Sequence, residues 1–153
     1  MENWLDCAHV LVIRVDHMGD VLMSSPAIYN LKQHLSCKIT LLTSTKGATV
    51  SALLPQIDEV MVYDVPWVKT VNAHQQINFH ALVELIKDRY FDACVVFTVY
   101  SQNPMPALLL AYLANIPLRL AYCRENPYHL LSHWVPDQEP YRLIKHQVRR
   151  DLD

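Results

Sequence analysis

The stretch from Val10 to Lys32, VLVIRVDHMGDVLMSSPAIYNLK, contains an apolar segment, a polar turn and the start of a helical pattern. Its first part, Val10–Val15, predicts a buried strand. The turn Asp16–Asp20 follows and includes Gly19, one of only two glycines in the chain. Ligands of open α/β sheets bind at the carboxyl ends of the strands. Asp20 therefore stands where a reacting group belongs.

The helical pattern after this turn extends to about residue 35 and contains a proline at position 26. Two interpretations are open. Either Ser25 caps a helix that has Pro26 at its first position, or a single helix begins near Asp20 and bends at Pro26. We prefer the second interpretation, because it keeps Asp20 at the N-terminus of the helix.

Strand and helix patterns alternate along the whole chain. Strands are predicted at about 8–15, 38–43, 60–63, 92–98 and 118–122, and helices at about 20–35, 46–54, 76–89, 105–115 and 141–151. Residues 123–140 contain three prolines and are predicted to be irregular. Such alternation favours an α/β fold with a Rossmann-like, doubly wound parallel sheet of at least five strands. We expect residues 1–153 to form a single domain.

The composition excludes several classes of protein. The chain has 153 residues, is 52% hydrophobic and carries a formal net charge of −2, so we expect a full core and no nucleic-acid partner. The first six residues have no basic region that would indicate a secretory signal. The apolar tract 105–122 is interrupted by Asn115, Pro117 and Arg119 and predicts a buried helix and strand, because a membrane span needs roughly 20 apolar residues.

The cysteines and histidines give no convincing metal site. The four cysteines, at positions 7, 37, 94 and 123, form no C-x-x-C pair and are expected to be buried, reduced thiols of a cytoplasmic protein. His129 and His133 have a spacing that can bind zinc on a helix. The nearby Pro127 and Pro136 and the lack of a carboxylate ligand argue against such a site.

Polar residues follow three further strands at the edge where Asp20 is expected. Lys46–Gly47 follows the second strand, where a cation could meet an acidic or phosphorylated sugar. Ser101 and Gln102 follow the fourth strand and Arg124 follows the fifth, in segments whose polar groups suit sugar hydroxyls. An ordinary solvated lysine and ordinary turn formers explain the same residues about as well. The aromatic residues Tyr128, Trp134 and Tyr141 could form either a sugar-stacking or a membrane-facing surface.

The turn V-D-H-M-G-D-V-L at residues 15–22, followed by S-P-A at 25–27 and a helix, resembles the start of glycosyltransferase family 9, the lipopolysaccharide heptosyltransferases. The resemblance continues more weakly through residues 38–64 and 118–153. It implies the N-terminal, acceptor-binding half of a two-domain GT-B fold. It also implies that Asp20 is the general base that deprotonates the acceptor hydroxyl.

The resemblance carries further expectations. It implies an inverting, metal-independent transfer from a nucleotide-sugar donor, similar to ADP-heptose, to a bacterial surface glycan or glycolipid. The donor is expected on a second half that this chain lacks, because the two glycines allow neither a G-x-G-x-x-G turn nor a P-loop here. The acceptor-binding residues would be His17, Met18, Gly19, Lys46, Ser101, Gln102 and Arg124. The reaction would take place in the cytoplasm, with a peripheral contact at the inner face of the cytoplasmic membrane.

The segment Phe97–Asn103 differs from the family, because many heptosyltransferases have an acidic-Gln-Gly motif and an Arg-Ser pair after this strand. The resemblance therefore does not specify the acceptor. Two alternatives remain: a non-catalytic α/β remnant that binds a sugar or a partner, and a small nucleotide-binding domain, which the missing glycine-rich turn disfavours. An adjacent donor domain would favour the enzyme, and its absence would favour the remnant.

Overall fold

The computed structural model describes residues 7–15, 18–51, 53–63, 65, 78–97, 104–123 and 128–136, without the side chains of residues 18–20, 46, 122, 129 and 134–136. The strands are β1 (His9–Ile13), β2 (Lys38–Thr43), β3 (Glu59–Val62), β4 (Ala93–Val96), β5 (Leu118–Cys123) and β6 (His133–Pro136). The helices are α1 (Met18–Leu35), α2 (Thr45–Ser51), α3 (Phe79–Lys87) and α4 (Met105–Leu113), with a 3₁₀ turn at Tyr128–Leu130.

The strands form one sheet in the order β3-β2-β1-β4-β5-β6, and every neighbouring pair is parallel. The predicted α/β class and the parallel, doubly wound sheet are therefore confirmed. This strand order is that of the Rossmann fold, in which the strand order reverses between β1 and β4 and leaves a crevice at their carboxyl ends. We call this side of the sheet the carboxyl edge and the opposite side the amino edge.

Both faces of the sheet are covered. Leu11 and Ile13 of β1 pack into a core with α3 and α4, whereas Val10 and Val12 pack into a second core with α1. A central strand that is buried on both sides needs a continuous apolar sequence, which explains the pattern that predicted β1. The four cysteines are buried free thiols, as expected from the sequence.

The prediction of an irregular segment at 123–140 is wrong for residues 128–136, which form the 3₁₀ turn and β6. The strand has only four residues, lies at the edge of the sheet and pairs with β5 alone. An edge strand tolerates a terminal proline such as Pro136, because the missing N–H leaves no neighbour unpaired. The helix predicted at 141–151 lies outside the described residues.

The single helix preferred from the sequence is confirmed, because α1 runs from Met18 to Leu35 with Pro26 in its interior. Proline removes a donor from the helical ladder and distorts the preceding turn. The amide of Gln56 donates to Oγ of Ser25 at 2.8 Å and to its carbonyl oxygen at 3.3 Å. The connection between α2 and β3 thus supplies hydrogen bonds at the place where the proline disturbs the helix.

Short polar side chains connect the strands at the amino edge. Asp58, directly before β3, accepts from the backbone N–H of Ile39 at 2.8 Å. Asp92, directly before β4, accepts from the N–H of His9 at 2.9 Å, and Ser132, directly before β6, accepts from the N–H of Arg119 at 2.7 Å. These bonds satisfy donors at the starts of the neighbouring strands, so this edge is occupied by structural contacts.

The amino edge makes the stability of the domain sensitive to acid. Burial, followed by the charge of Lys38, lowers the pKa of His9 below its usual 6.5. The hydrogen bond from Arg89 is the main reason why the pKa of Glu59 is lowered. Burial raises the pKa of Asp58, but bonds from Lys32 and Ile39 outweigh it, so that this pKa is also lowered.

A group with a lowered pKa binds protons more readily in the unfolded chain, so acidification favours unfolding. We expect the urea midpoint to fall below pH 6.5, where the unfolded-state His9 becomes protonated, and again below about pH 4.5, where carboxylates protonate. His9→Gln removes the ionisable ring and should flatten only the first decline. A midpoint that stays constant between pH 7.5 and 5.5 in the unsubstituted chain would contradict this account.

Candidate active site at the carboxyl edge

The first turn of α1 lies at the carboxyl end of the central strand. Strand β1 ends at Ile13 and α1 begins at Met18, so Gly19 and Asp20 belong to the helix's first turn. Their predicted position at the carboxyl edge is confirmed. Because β1 adjoins β4, this turn lies beside the crevice where Rossmann folds bind ligands. The backbone thus places Asp20 where a ligand could be reached, and its chemical role remains a prediction.

A second helix begins at the same edge. α2 starts at Thr45, directly after β2, and packs against α1. Oγ of Ser44 accepts from the N–H of Gly47 at 3.1 Å, which caps the helix. The predicted location of Lys46 and Gly47 at Asp20's edge is confirmed. The helix starts one residue earlier than predicted and ends at Ser51 instead of about residue 54.

Gly47 is required by close packing between α2 and the sheet. A Cβ at this position would overlap with Oγ1 of Thr43 and would lie 3.0 Å from Cγ2 of Val21. Thr43 and Val21 are both fully buried, which limits their freedom to move aside. The sequence predicted a helix that opens at Lys46–Gly47, and the structure adds the reason for the glycine, which lies at the meeting point of α1, α2 and β2.

Gly47→Ala is therefore expected to destabilise the domain by about 1–3 kcal/mol, the usual cost of overpacking a buried site. A thermal or urea unfolding curve would measure the effect. Thr43→Ala removes the atoms that the new methyl group would meet. Gly47→Ala should therefore destabilise the domain less in a Thr43→Ala background than in the unsubstituted chain. An equal cost in both backgrounds would show that Thr43 is not the obstacle.

Arg14 is a residue of this edge that the sequence did not single out. It directly follows β1, its side chain is 0% exposed, and its backbone N–H donates to the carbonyl of Leu42 at 3.1 Å. Side chains alternate along β1, so Arg14 lies on the face of Val10 and Val12, which α1 covers. A buried arginine is uncommon. In the sequence it reads as an ordinary polar residue at a strand end.

The remaining predicted site residues lie outside the described structure. His17, Ser101, Gln102 and Arg124 are in this group. β4 ends at Val96 and β5 at Cys123, so the chain leaves both strands at the carboxyl edge before it reaches the last three of these residues. Their proposed contacts with a ligand remain predictions.

No metal site is formed by the residues that the structure describes, among which no three His, Cys, Asp or Glu side chains cluster. His133 is exposed, and its Nδ1 lies 2.9 Å from Oγ of the neighbouring Ser132. The side chain of His129 is outside the description. The predicted absence of a metal requirement therefore remains a prediction.

Helix α4 is apolar on all sides, and the structure shows which of its faces is buried and which is exposed. Its inner face is buried against the sheet, as predicted for a core helix, whereas Leu109, Tyr112 and Leu113 are more than 40% exposed. Within the described ranges, no helix has both the length and the hydropathy needed to cross a membrane.

Comparison with known proteins connects this arrangement to glycosyltransferases. No family model matches the chain. A curated protein of Haemophilus influenzae named "Putative glycosyltransferase" is 32% identical over 143 residues, which cover 93% of this chain and 36% of that protein. The chain thus spans about a third of the length of this relative.

Solved structures show the same fold. The E. coli ADP-heptose lipopolysaccharide heptosyltransferase II superposes with a TM-score of 0.67 at 20% identity, over 94% of this chain and 39% of that one. A family 9 glycosyltransferase from Veillonella parvula gives a TM-score of 0.68 at 18% identity, over 98% and 40%. The chain has the fold of the N-terminal part of a GT-B heptosyltransferase.

These matches confirm the resemblance to family 9 that was drawn from residues 15–27. An E. coli heptosyltransferase solved with ADP superposes with a TM-score of 0.64 and is covered over 44% of its length. Each of these proteins is more than twice as long as the part that matches. The described residues therefore correspond to one Rossmann-like unit of a larger protein fold.

Proposed function

We propose that this domain is the acceptor-binding half of an inverting, metal-independent glycosyltransferase. The proposal is supported most strongly by the agreement between the fold of the domain and the position of its Gly19–Asp20 turn. The fold matches the N-terminal part of heptosyltransferases, and the Gly19–Asp20 turn lies at the carboxyl end of β1, beside the sheet's switch point. A residue that reacts with a bound ligand belongs at this position.

In the proposed reaction, Asp20 acts as the general base. An acceptor hydroxyl attacks the anomeric carbon of the donor sugar, and its proton passes to the Asp20 carboxylate. The bond between the anomeric carbon and the diphosphate oxygen breaks, and the nucleoside diphosphate leaves. Attack from the side opposite the leaving group inverts the anomeric centre.

The position of Asp20 limits its strength as a base. The N-terminus of a helix stabilises the ionised form of a carboxylate, which makes it a weaker base than an isolated one. A weak base suffices if the proton moves while the new sugar bond forms and if the carboxylate is placed within reach of the hydroxyl. The position of Asp20 in the first turn of α1, at the carboxyl end of β1, supports such a placement.

The donor is proposed to bind to a second, C-terminal half. A related E. coli structure contains ADP-2-deoxy-2-fluoro heptose, and 46% of its chain is covered by the match. We therefore propose an ADP-heptose-like donor and a glycan or glycolipid acceptor. His17, Met18, Gly19, Lys46, Ser101, Gln102 and Arg124 would contact the acceptor. We place the reaction in the cytoplasm and expect the domain to contact the membrane only peripherally.

A transfer assay tests this function. The complete enzyme, meaning this domain together with a donor-binding half, is incubated with ADP-heptose and core oligosaccharide released from lipopolysaccharide. We expect a product enlarged by one heptose, detected by mass spectrometry, in the presence of EDTA as well as in its absence. Loss of the product with EDTA would contradict the metal-independent mechanism. Acceptor binding without transfer would favour the alternative of a non-catalytic binding module.

A further inference from the structure

Among the residues whose side chains the structure describes, most charged groups lie away from the carboxyl edge of the sheet. Most of the charged side chains that the structure describes lie near the amino edge or on α3: Lys32, Lys38, Asp58, Glu59, Glu84, Lys87, Asp88, Arg89, Asp92 and Arg119. Several of them pair with one another, as Lys32 does with Asp58 and Arg89 with Glu59. Arg14 is the charged side chain at the carboxyl edge within this described set.

The burial of Arg14 is costly, which indicates a specific use. It is the largest fully buried side chain among the residues that the structure describes. A guanidinium remains charged at every pH at which proteins fold. A charge is stable in an apolar interior only when negative groups and hydrogen bonds compensate its lost hydration. The domain thus maintains a permanent positive charge beneath the carboxyl edge.

The packing connects this charge with the first turn of α1. The bond from the Arg14 N–H to the Leu42 carbonyl makes Arg14 the lateral neighbour of Thr43 on β2. Thr43 and Val21 both border Gly47. Val21 directly follows Asp20 in α1, so Arg14 and Asp20 belong to the same small region where β1, β2, α1 and α2 meet.

The sequence shortly after Arg14 supplies two acidic residues. Asp16 and Asp20 are the acidic residues between β1 and the body of α1. His17 and Lys46 are the other titratable side chains that the sequence brings to this region, and Asp64 follows β3, two strands away from β1. Of these two acids, Asp20 lies in α1 and is the one that the proposed function uses.

We propose that Arg14 is a positioning residue that acts through Asp20, because its buried charge keeps Asp20 in the ionised form that accepts the acceptor's proton. This inference rests on the proposed function. When an acidic acceptor covers the edge, lost hydration and like-charge repulsion both favour a protonated Asp20. The charge of Arg14 opposes both effects, and the dipole of α1 acts in the same direction.

The ionisation of Asp20 can be followed directly by NMR titration of its carboxyl carbon in this chain. Replacing Arg14 by methionine should raise the pKa of Asp20 by about 1–3 units, the range expected when a neighbouring cation is removed. Arg14→Lys keeps the charge, so the pKa of Asp20 in this variant should lie close to its value in the unsubstituted chain. Thr43→Val, a matched control on the same face, removes a neighbouring hydroxyl without changing charge and should leave the titration unchanged.

An identical Asp20 titration in the Arg14→Met and unsubstituted chains would overturn the inference. If Arg14→Met does not fold, Arg14→Gln provides the same neutral comparison with hydrogen-bond donors retained. A raised pKa that lysine does not restore would also contradict the proposal, because it would indicate a rearranged structure. The circular dichroism spectrum of each variant verifies that the fold is preserved.

Activity separates this inference from the proposed function. In the complete enzyme, Arg14→Met should move the acidic limb of the kcat–pH profile upward by about one unit or more and should change KM much less. If Asp20→Asn leaves turnover normal, the base assignment fails and this inference fails with it. If Asp20→Asn abolishes turnover while Arg14→Met leaves the acidic limb in place, only the role of Arg14 is wrong.

Discussion

Asp20→Asn is expected to lower the turnover of the complete enzyme by about 10²–10⁴-fold, the usual contribution of a general base. The asparagine side chain keeps the shape and the hydrogen-bonding capacity of aspartate but cannot accept the proton. Acceptor affinity should therefore change far less than turnover. Transfer rates and acceptor affinity, measured on the same preparations, would show this separation.

A purely structural role of Asp20 makes a different prediction. If the carboxylate only stabilises the N-terminus of α1, its replacement should cost about 1 kcal/mol or less and should spare turnover. Asp58→Asn is a suitable control, since Asp58 binds Ile39 and Lys32 at the opposite edge. This control should lower the melting temperature without lowering kcat. Near-normal turnover of Asp20→Asn would exclude Asp20 as the base.

The domain on its own is expected to transfer no sugar above background. Its matching residues, 143 in the case of the glycosyltransferase relative, cover 36% of that protein, and the chain covers 39% and 40% of two solved structures with the same fold. Its two glycines provide no phosphate-binding turn, and a donor that is not held cannot be brought to Asp20. We therefore expect transfer only after a donor-binding half is added, either fused or as a separate polypeptide.

A transfer assay with radiolabelled donor, run with and without the second half, measures this effect. The Asp20→Asn variant of the joined protein sets the background, because it contains both halves but lacks the proposed base. Robust transfer by the 153-residue chain alone would contradict the two-half account. It would also require a donor site within this domain.

The architecture was largely predictable, because a doubly wound sheet has strong local signals. β2 was predicted with its observed bounds, Lys38–Thr43, since an apolar run between polar turns defines both ends. The single helix that continues through Pro26 was also predicted. β6 was missed because four residues next to prolines carry no recognisable alternation, and they become a strand only by pairing with β5.

The candidate site was predictable only in part. Asp20 and Lys46 could be assigned to one edge, because the carboxyl ends of parallel strands lie together. Arg14 could not be recognised, since its complete burial depends on α1, which follows it in sequence. The packing requirement for a glycine at position 47 could not be predicted either, because its close neighbours, Thr43 and Val21, come from two other elements. Both features arise from packing between distant segments.

The central claim is that the acceptor binds at the carboxyl edge, over the first turns of α1 and α2. An NMR titration of the ¹⁵N-labelled chain with core oligosaccharide released from lipopolysaccharide tests it most directly. We predict shifts of the backbone amides of Gly19, Asp20, Val21 and Gly47, and unchanged amides of His9 and Ile39 at the amino edge. Shifts confined to the amino edge, or to the exposed face of α4, would contradict the account.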